Sequence, residues 1–322
     1  MKEVTFINRN KQKWESISTQ LQNVKGLPPD QLADLYMEIT NDLAYSTTFY
    51  RQSETTRYLN QLAIKIHREI YRNKKEKSSR LVSLYKTEIP LLFHKHRRYI
   101  YISLGIFLLS GLLGTLSVFE DSGFVNAILG DQYVQMTLEN IEKGDPMGVY
   151  GKMDEEMMFL MITMNNIYVS FQVFLFGLLT PLGTIWQLFR NGIMVGAFQT
   201  FFFEQELLNT ATMAIMIHGT LELSAIVLAG AAGIALGKNI FFPGTLPRGE
   251  SFKLAIREGT IMLIGLVPVF VMAGFIESYI TRYYNQMSFT LNIMIIIISL
   301  TFIIGYFIVY PRRVARNINK NH

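Results

Sequence analysis

Residues 99–119 read YIYISLGIFLLSGLLGTLSVF, a run of 21 residues without a charged side chain. At 1.5 Å per residue, a helix of this length is about 30 Å long, which matches the hydrocarbon layer of a bilayer. Further apolar stretches of similar length follow at about 158–181, 184–203, 211–236, 259–280 and 290–310. The sequence therefore predicts an all-α polytopic membrane helix bundle with about six transmembrane helices.

The composition agrees with a membrane protein and excludes several other classes. Half of the 322 residues are hydrophobic and 17% are charged, whereas soluble domains carry about 25% charged residues. The mean hydropathy is +0.23. The chain contains no cysteine, which excludes thiolate catalysis, cysteine-ligated zinc and iron–sulfur clusters. We expect an integral membrane protein rather than a soluble enzyme.

Charge is sorted into blocks along the chain, and this sorting predicts the topology. Residues 1–98 carry a net charge of +8, residues 120–157 carry −7, and residues 311–322 contain four basic residues. Because positively charged flanks stay on the cytoplasmic side, both termini are predicted to be cytoplasmic and 120–157 to face outward. The predicted location is the bacterial cytoplasmic (inner) membrane. Only 180–183 separate the second span from the third, so five spans with a re-entrant segment remain the alternative.

The predicted domains are a cytoplasmic helical domain at 1–98, a transmembrane domain at 99–310 and a basic cytoplasmic tail at 311–322. Apolar residues recur at helical spacing in the first domain, which predicts three amphipathic helices that bury one another's apolar faces. Asp30 is the expected N-cap of the second, and the third is expected at about 76–97. The acidic segment 120–157 is expected to form a helix on the outer membrane interface.

Two polar residues in the fourth span share one helix face, because His218 and Glu222 are four positions apart. Ala225, Ala229 and Gly233 continue the same face, and small residues allow another helix to approach closely. The pair is therefore predicted to face protein or a cavity. Its role can be to hold helices together or to bind a proton, an ion or a polar substrate, and the sequence leaves both open.

Other spans carry similar features. Asn165 and Asn166 lie at a comparable depth in the second span, and Arg190, near one end of the third, is expected to be an interfacial anchor. The candidate functional polar cluster comprises Asn165, Asn166, Asn191, His218, Glu222 and Glu277. The small residues expected to pack helices together are Gly177, Gly192, Gly196, Ala225, Ala229 and Gly233.

No motif for catalysis or cofactor binding occurs in the chain. It lacks a Walker A loop, a dinucleotide glycine motif and a Gly-x-Ser-x-Gly elbow. No metal site is predicted, because His218 and Glu222 supply two ligands and the spans hold no other histidine. We expect no cofactor and no nucleic acid. The expected partners are the lipid bilayer and other membrane or cytoplasmic proteins of the cell envelope, and self-association stays open.

Several of these runs together resemble the stage II sporulation protein M family of integral membrane proteins. The matching residues are Asn165-Asn166, Gly177, Asn191-Gly192 with Gly196, His218-Gly219-x-x-Glu222-x-x-Ala225, Ala229 to Gly233, and Ile276-Glu277. The N-terminal part is similar to the longer members of the family, through Phe6, Trp14, Leu35-Tyr36, Asp42-Leu43-Ala44, Tyr58-Leu59-Asn60 and Tyr71. The resemblance implies a membrane anchor for peptidoglycan-degrading partners.

The leading functional hypothesis is a non-enzymatic scaffold of the bacterial cell envelope. The alternative is a transporter or channel with a polar midplane site around Asn166, His218 and Glu222, and an intramembrane hydrolase ranks third. A cavity that reaches Glu222 from one side would favour transport, whereas a dry, tightly packed pair would favour the scaffold.

Overall fold

The computed structural model describes residues 2–21, 29–72, 79–148 and 154–320. The described residues are helical and contain no β-strand. Contacts divide the chain into two compact units, Met1–Leu81 and Val82–His322. The fold class predicted from the sequence, an all-α polytopic helix bundle, is confirmed.

The first unit consists of three helices: α1 (Glu3–Gln20), α2 (Pro29–Phe49) and α3 (Glu54–Arg72). They bury a shared core of Phe6, Trp14, Ile17, Leu32, Ile39, Leu59, Leu62, Ala63 and Ile66. The Trp14 indole donates a hydrogen bond to Asp42 Oδ2 at 2.8 Å, so this buried N–H has a partner. Asp30 is not an N-cap as predicted, because α2 already begins at Pro29, whose fixed φ suits the first turn of a helix.

The segment before the first long helix belongs to the second unit. It consists of α4 (Ser79–Ser83), a π-helical turn at Leu84–Glu88 and α5 (Ile89–Lys95). Ile89 and Phe93 are fully buried in the core of that unit, and the Phe93 ring packs edge-on against Phe307 at 5.0 Å. The contact boundary therefore falls at 81/82, whereas the sequence-predicted boundary at 98 followed the start of the first span. Residues 76–78 of the expected third helix lie outside the described residues.

The second unit continues with nine further helices in the described ranges. They are α6 (Arg97–Glu120), α7 (Gly123–Leu129), α8 (Asp131–Glu142), α9 (Glu155–Leu179), α10 (Pro181–Glu204), α11 (Leu208–Phe241), α12 (Arg248–Tyr279), α13 (Phe289–Ile304) and α14 (Tyr310–Lys320). The central helix is α11, which packs against α6, α9, α10, α12 and α13. In its most apolar stretch of 18 residues, 83% of the residues are buried. The other long helices surround it and expose apolar faces, as helices that contact lipid do.

Five helices are long and apolar enough to cross a membrane: 97–120, 155–179, 208–241, 248–283 and 289–318. The third predicted span, 184–203, falls in α10, which is one continuous helix of 24 residues and is not among the five. A single residue, Thr180, separates α9 from α10, and its hydroxyl caps α10 by accepting a hydrogen bond from Gly183 N–H at 3.2 Å. A total of six membrane spans therefore remains a prediction, because the sixth span would be α10.

The acidic segment 120–157 forms two short helices, α7 and α8, rather than one. Gly130 separates them with a φ of +86°, a backbone conformation that glycine adopts without strain. Val125, Val134 and Met147 are buried in a core with Phe201 and Phe202 of α10. The segment therefore covers one end of the helix bundle. Residues 149–153 lie outside the described residues.

Small residues set the helix spacing around the centre. An added Cβ at Gly192 would lie 2.6 Å from the Phe107 carbonyl oxygen of α6, and one at Gly196 would collide with the Gly111 carbonyl. Gly177 of α9 faces Gly233 of α11 in the same way. Ala225 and Ala229 are fully buried on α11. Helix backbones thus meet directly, which van der Waals packing in a membrane favours.

Candidate functional site

Four polar side chains from three helices meet beside the central helix. Asn166 of α9 donates a hydrogen bond from Nδ2 to Glu222 Oε1 of α11. His218 lies one turn before Glu222 on α11, and Glu277 of α12 joins them. One ligand atom from each of His218, Glu222 and Glu277 lies within 4.8 Å of the others. We call these four residues the His–Glu cluster.

The imidazole of His218 is held on both sides. Its Nδ1 lies 3.1 Å from Thr281 Oγ1, and its Nε2 lies 3.8 Å from Glu277 Oε1. His218 is 4% exposed, and the side chain of Glu277 is 13% exposed. Because Glu277 and Thr281 are four residues apart, the same face of the chain presents both groups to the ring. These two contacts orient the ring between Thr281 and Glu277.

The two carboxyl groups approach each other closely enough to share a hydrogen bond. Two carboxylates in one site repel each other, and the repulsion is strong where water is scarce. A proton or a cation between them removes that repulsion. The arrangement can therefore hold positive charge.

The cluster has the donor set of a metal site as well. Imidazole nitrogen together with carboxylate oxygen is a ligand combination that zinc, iron and manganese accept. The sequence-based expectation of no metal site rested on His218 and Glu222 as two ligands and on the lack of another histidine in the spans. The fold adds Glu277 of α12 as a third donor, so the donor count no longer excludes a metal ion.

A cavity of about 340 Å³ reaches this cluster from one side. His218, Gly219 and Glu222 form one wall, and Gln199 of α10 adds a polar group to another. Gln199 is held in place by a hydrogen bond of 2.9 Å from the Thr212 hydroxyl to its Oε1. Apolar residues of α7, α10 and α11 form most of the remaining wall. His218 and Glu222 are therefore accessible from the cavity rather than sealed within packed helices.

Tyr133 of α8 also lines this cavity. Burial raises the pKa of its phenol, while a hydrogen bond with Thr137 acts in the opposite direction. The phenol consequently keeps its proton over the physiological pH range and can donate a hydrogen bond into the cavity. This residue brings the acidic segment 120–157 to the site.

Two of the six candidate residues lie elsewhere. Asn165 is exposed on α9, because it is 100° round the helix from Asn166. Asn191 donates a hydrogen bond to the Gln187 carbonyl of its own helix at 2.8 Å and lines a second cavity. The structure thus brings Asn166, His218, Glu222 and Glu277 together and leaves Asn165 and Asn191 apart.

Sequence reasoning missed Thr281, Tyr133 and the cavity role of Gln199. Thr281 could have been found from its spacing, since it is four residues after Glu277. Nothing in the local sequence around Tyr133 indicates that α8 folds back against α10.

These features define a class: a polytopic helical membrane protein with an accessible polar cluster of acidic groups and histidine inside its bundle. The family model described as Stage II sporulation protein M matches residues 103–282, which is 180 of 322 residues, and the chain belongs to that family. A second model, described as Domain of unknown function (DUF8413), matches residues 4–72. All four residues of the His–Glu cluster lie within the first match. No curated protein and no solved structure shows significant similarity to the chain.

Proposed function

We propose that this protein is a membrane transport protein whose His–Glu cluster binds a transported or coupling cation. The observation that carries the proposal is the 340 Å³ cavity that ends at His218 and Glu222. A scaffold needs its polar groups only to join helices, and it gains nothing from keeping Glu222 and His218 accessible. The cavity therefore favours the transporter that ranked second in the sequence analysis.

The chemistry of the cluster supports a cation rather than an anion. Its centre consists of two carboxyl groups, and the basic group in contact with them is the imidazole of His218. Charged groups at membrane depth are costly, by roughly 2.5–3.5 kcal/mol on insertion scales, and they mark ion or proton pathways when they are retained. A bound proton removes one of the two negative charges of the ionised pair, and a divalent metal ion neutralises both.

In this proposal the protein resides in the bacterial cytoplasmic membrane with both termini in the cytoplasm. The cavity then opens toward the side that holds α7 and α8.

Transport can be measured with purified protein in liposomes that contain a pH-sensitive or a divalent-metal-sensitive dye. We expect the wild type to carry protons or a divalent metal ion, and Glu222→Gln and Glu277→Gln to reduce the flux by about tenfold or more, because each removes one charged ligand. Glu142→Gln is the matched control, because Glu142 is an exposed carboxylate on α8. Equal flux in all four proteins, or no flux through the wild type, would contradict the proposal.

A scaffold role remains the second candidate, supported by the N-terminal unit. Residues 1–81 form a compact unit of their own, and residues 4–72 match a separate family model. We expect deletion of 1–72 to leave the membrane helices inserted and to abolish copurification of cytoplasmic partners. Membrane fractionation with cross-linked affinity capture measures both effects. A truncated protein that keeps every partner would exclude docking by this unit.

A further inference from the structure

The second cavity of the helix bundle, about 420 Å³ in volume, lies on α10 away from the His–Glu cluster. Its polar lining consists of Gln172 of α9 with Gln187, Arg190 and Asn191 of α10. The residues that line it include no acidic side chain. One full positive charge and three amide groups therefore face the same space without a counter-charge in its walls.

Arg190 forms no hydrogen bond or ion pair with any residue in the described part of the chain. The side chain of Gln187 is likewise without a hydrogen-bond partner there, although Gln187 is only 7% exposed. An anion in the cavity would accept hydrogen bonds from both residues, so a bound ligand explains why two unpartnered donors point to one place.

Arg190 does not lie near the end of a span as the sequence analysis expected. Its neighbour Gly192 packs against Phe107 and Ser110, which are in the middle of α6. At 1.5 Å per residue, Arg190 is only about 3 Å from Gly192 along α10. The guanidinium group is therefore attached close to the middle of the helix bundle, so a headgroup that binds it has to enter the cavity between α9 and α10.

The surroundings of the cavity identify the occupant as an amphiphile. The remaining wall is apolar and includes Val169, Ile193 and Met194. Phe171 and Trp186 nearby are large apolar residues about half exposed, as residues that contact lipid tails are. A ligand with an anionic head and a hydrocarbon tail satisfies the polar and the apolar parts of this cavity together.

We propose that Arg190, Gln187, Gln172 and Asn191 bind the phosphate headgroup of an anionic lipid whose tail lies along the apolar wall. Basic pockets between membrane helices bind such headgroups, and arginine matches phosphate geometry with two parallel N–H donors. The site is separate from the His–Glu cluster and does not depend on transport by it. The two cavities adjoin, because Ile128 and Met194 line both of them.

Native mass spectrometry of the purified full chain tests the proposal, with phosphatidylglycerol and phosphatidylcholine as probe lipids. We expect phosphatidylglycerol to bind about tenfold more tightly than phosphatidylcholine. Arg190→Gln should abolish this preference and Gln187→Leu should weaken it, whereas Arg190→Lys should retain part of it. Arg313→Gln is the matched control, because it removes one exposed arginine from α14 and should leave binding unchanged.

Two further measurements distinguish the source of the phosphate and guard against misfolded variants. Inorganic phosphate at millimolar concentration should not displace the lipid, and displacement would overturn the assignment to a lipid headgroup. On wild-type protein, a photoactivatable phosphatidylglycerol should cross-link to a peptide that spans 186–194. Unchanged binding by Arg190→Gln, equal affinity for both lipids, or cross-links confined to other helices would each refute the site.

Discussion

A carboxyl group on a membrane helix depends on its protein neighbours, because lipid tails offer no hydrogen bonds. For Glu222 these neighbours are Asn166 of α9 and Glu277 of α12. The amide of Asn166 donates to one oxygen of Glu222, and a carboxyl oxygen of Glu277 lies within 4.8 Å of a Glu222 oxygen. The contribution of Glu222 to stability therefore resides in these contacts and can be measured by replacing it.

Glu222→Gln should cost less stability than Glu222→Leu. Glutamine still offers an oxygen to the Asn166 amide, whereas leucine leaves that buried amide without an acceptor, at a cost of about 1–3 kcal/mol. Thermal unfolding in detergent measures the difference, with the same two replacements at exposed Glu142 as the control pair. If leucine at position 222 is tolerated as well as glutamine, the hydrogen bond from Asn166 contributes nothing to folding.

Part of this site follows from sequence alone. The spacing of His218 and Glu222 and the count of residues from the span ends correctly indicate that Asn166 is at the depth of Glu222. Glu277 also appears in the sequence as a polar residue in a span. The contact between Glu277 and His218 cannot be predicted from the sequence. It depends on how far α12 is rotated about its axis, and that rotation is set by packing along the whole helix.

At the scale of elements, α6 and α10 meet in a close backbone-to-backbone contact. Gly192 and Gly196 remove the side chains that would otherwise separate the two backbones, and Gly111 and Gly114 do so on the opposite helix. This contact holds α10 against α6 and so fixes the walls of both cavities. Because α10 is less apolar than the neighbouring helices, close packing against α6 helps to keep it in the bundle.

Replacing one of these glycines should therefore be much more harmful than replacing an exposed glycine. We expect Gly196→Ala to destabilise the protein by about 1–3 kcal/mol, because the methyl group would collide with the Gly111 carbonyl. Gly105→Ala on α6 is the matched control. No atom lies within 4 Å of its added Cβ, so it should be neutral or slightly stabilising. Steric-trap unfolding in bicelles would distinguish the two, and equal stabilities would show that α6 and α10 can separate at no cost.

Two π-helical turns, at Leu84–Glu88 and Gly305–Val309, are features that the sequence does not predict. Tyr306 and Tyr310 donate hydrogen bonds to the carbonyls of Tyr85 and Lys86, at 2.7 and 3.0 Å. A π-turn interrupts the regular helix ladder and frees such carbonyls for other donors. Hydrophobic periodicity was sufficient to find both helices, but it could not show a register shift that depends on partners more than 200 residues away.

At the scale of the whole molecule, the number of spans determines the position of the termini. If α10 crosses the membrane, six spans leave both termini on the same side, and if it does not, five spans place them on opposite sides. The fold class and most span positions follow from hydropathy. Hydropathy does not decide whether α10 crosses the membrane, because the hydropathy of α10 is reduced by residues such as Gln187, Arg190 and Asn191 that line a cavity.

The absence of cysteine makes this question directly testable. Each introduced cysteine is the sole thiol in the chain and can be labelled with a membrane-impermeant maleimide. In intact cells we expect labelling of Glu142→Cys, and labelling of Lys11→Cys and Arg316→Cys only after lysis. Labelling of Arg316→Cys from outside, with Lys11→Cys protected, would establish five spans.

The distribution of the His–Glu cluster over α9, α11 and α12 also has a consequence for biogenesis. Glu222 emerges from the ribosome 56 residues after Asn166 and 55 residues before Glu277. At about 5–20 residues per second, the nascent chain waits roughly 3–11 s for the second acidic group. During that interval the amide of Asn166 is the cluster partner already synthesised on an earlier helix. Asn166 is therefore the residue of the cluster on an earlier helix that can hydrogen-bond Glu222 before α12 is synthesised.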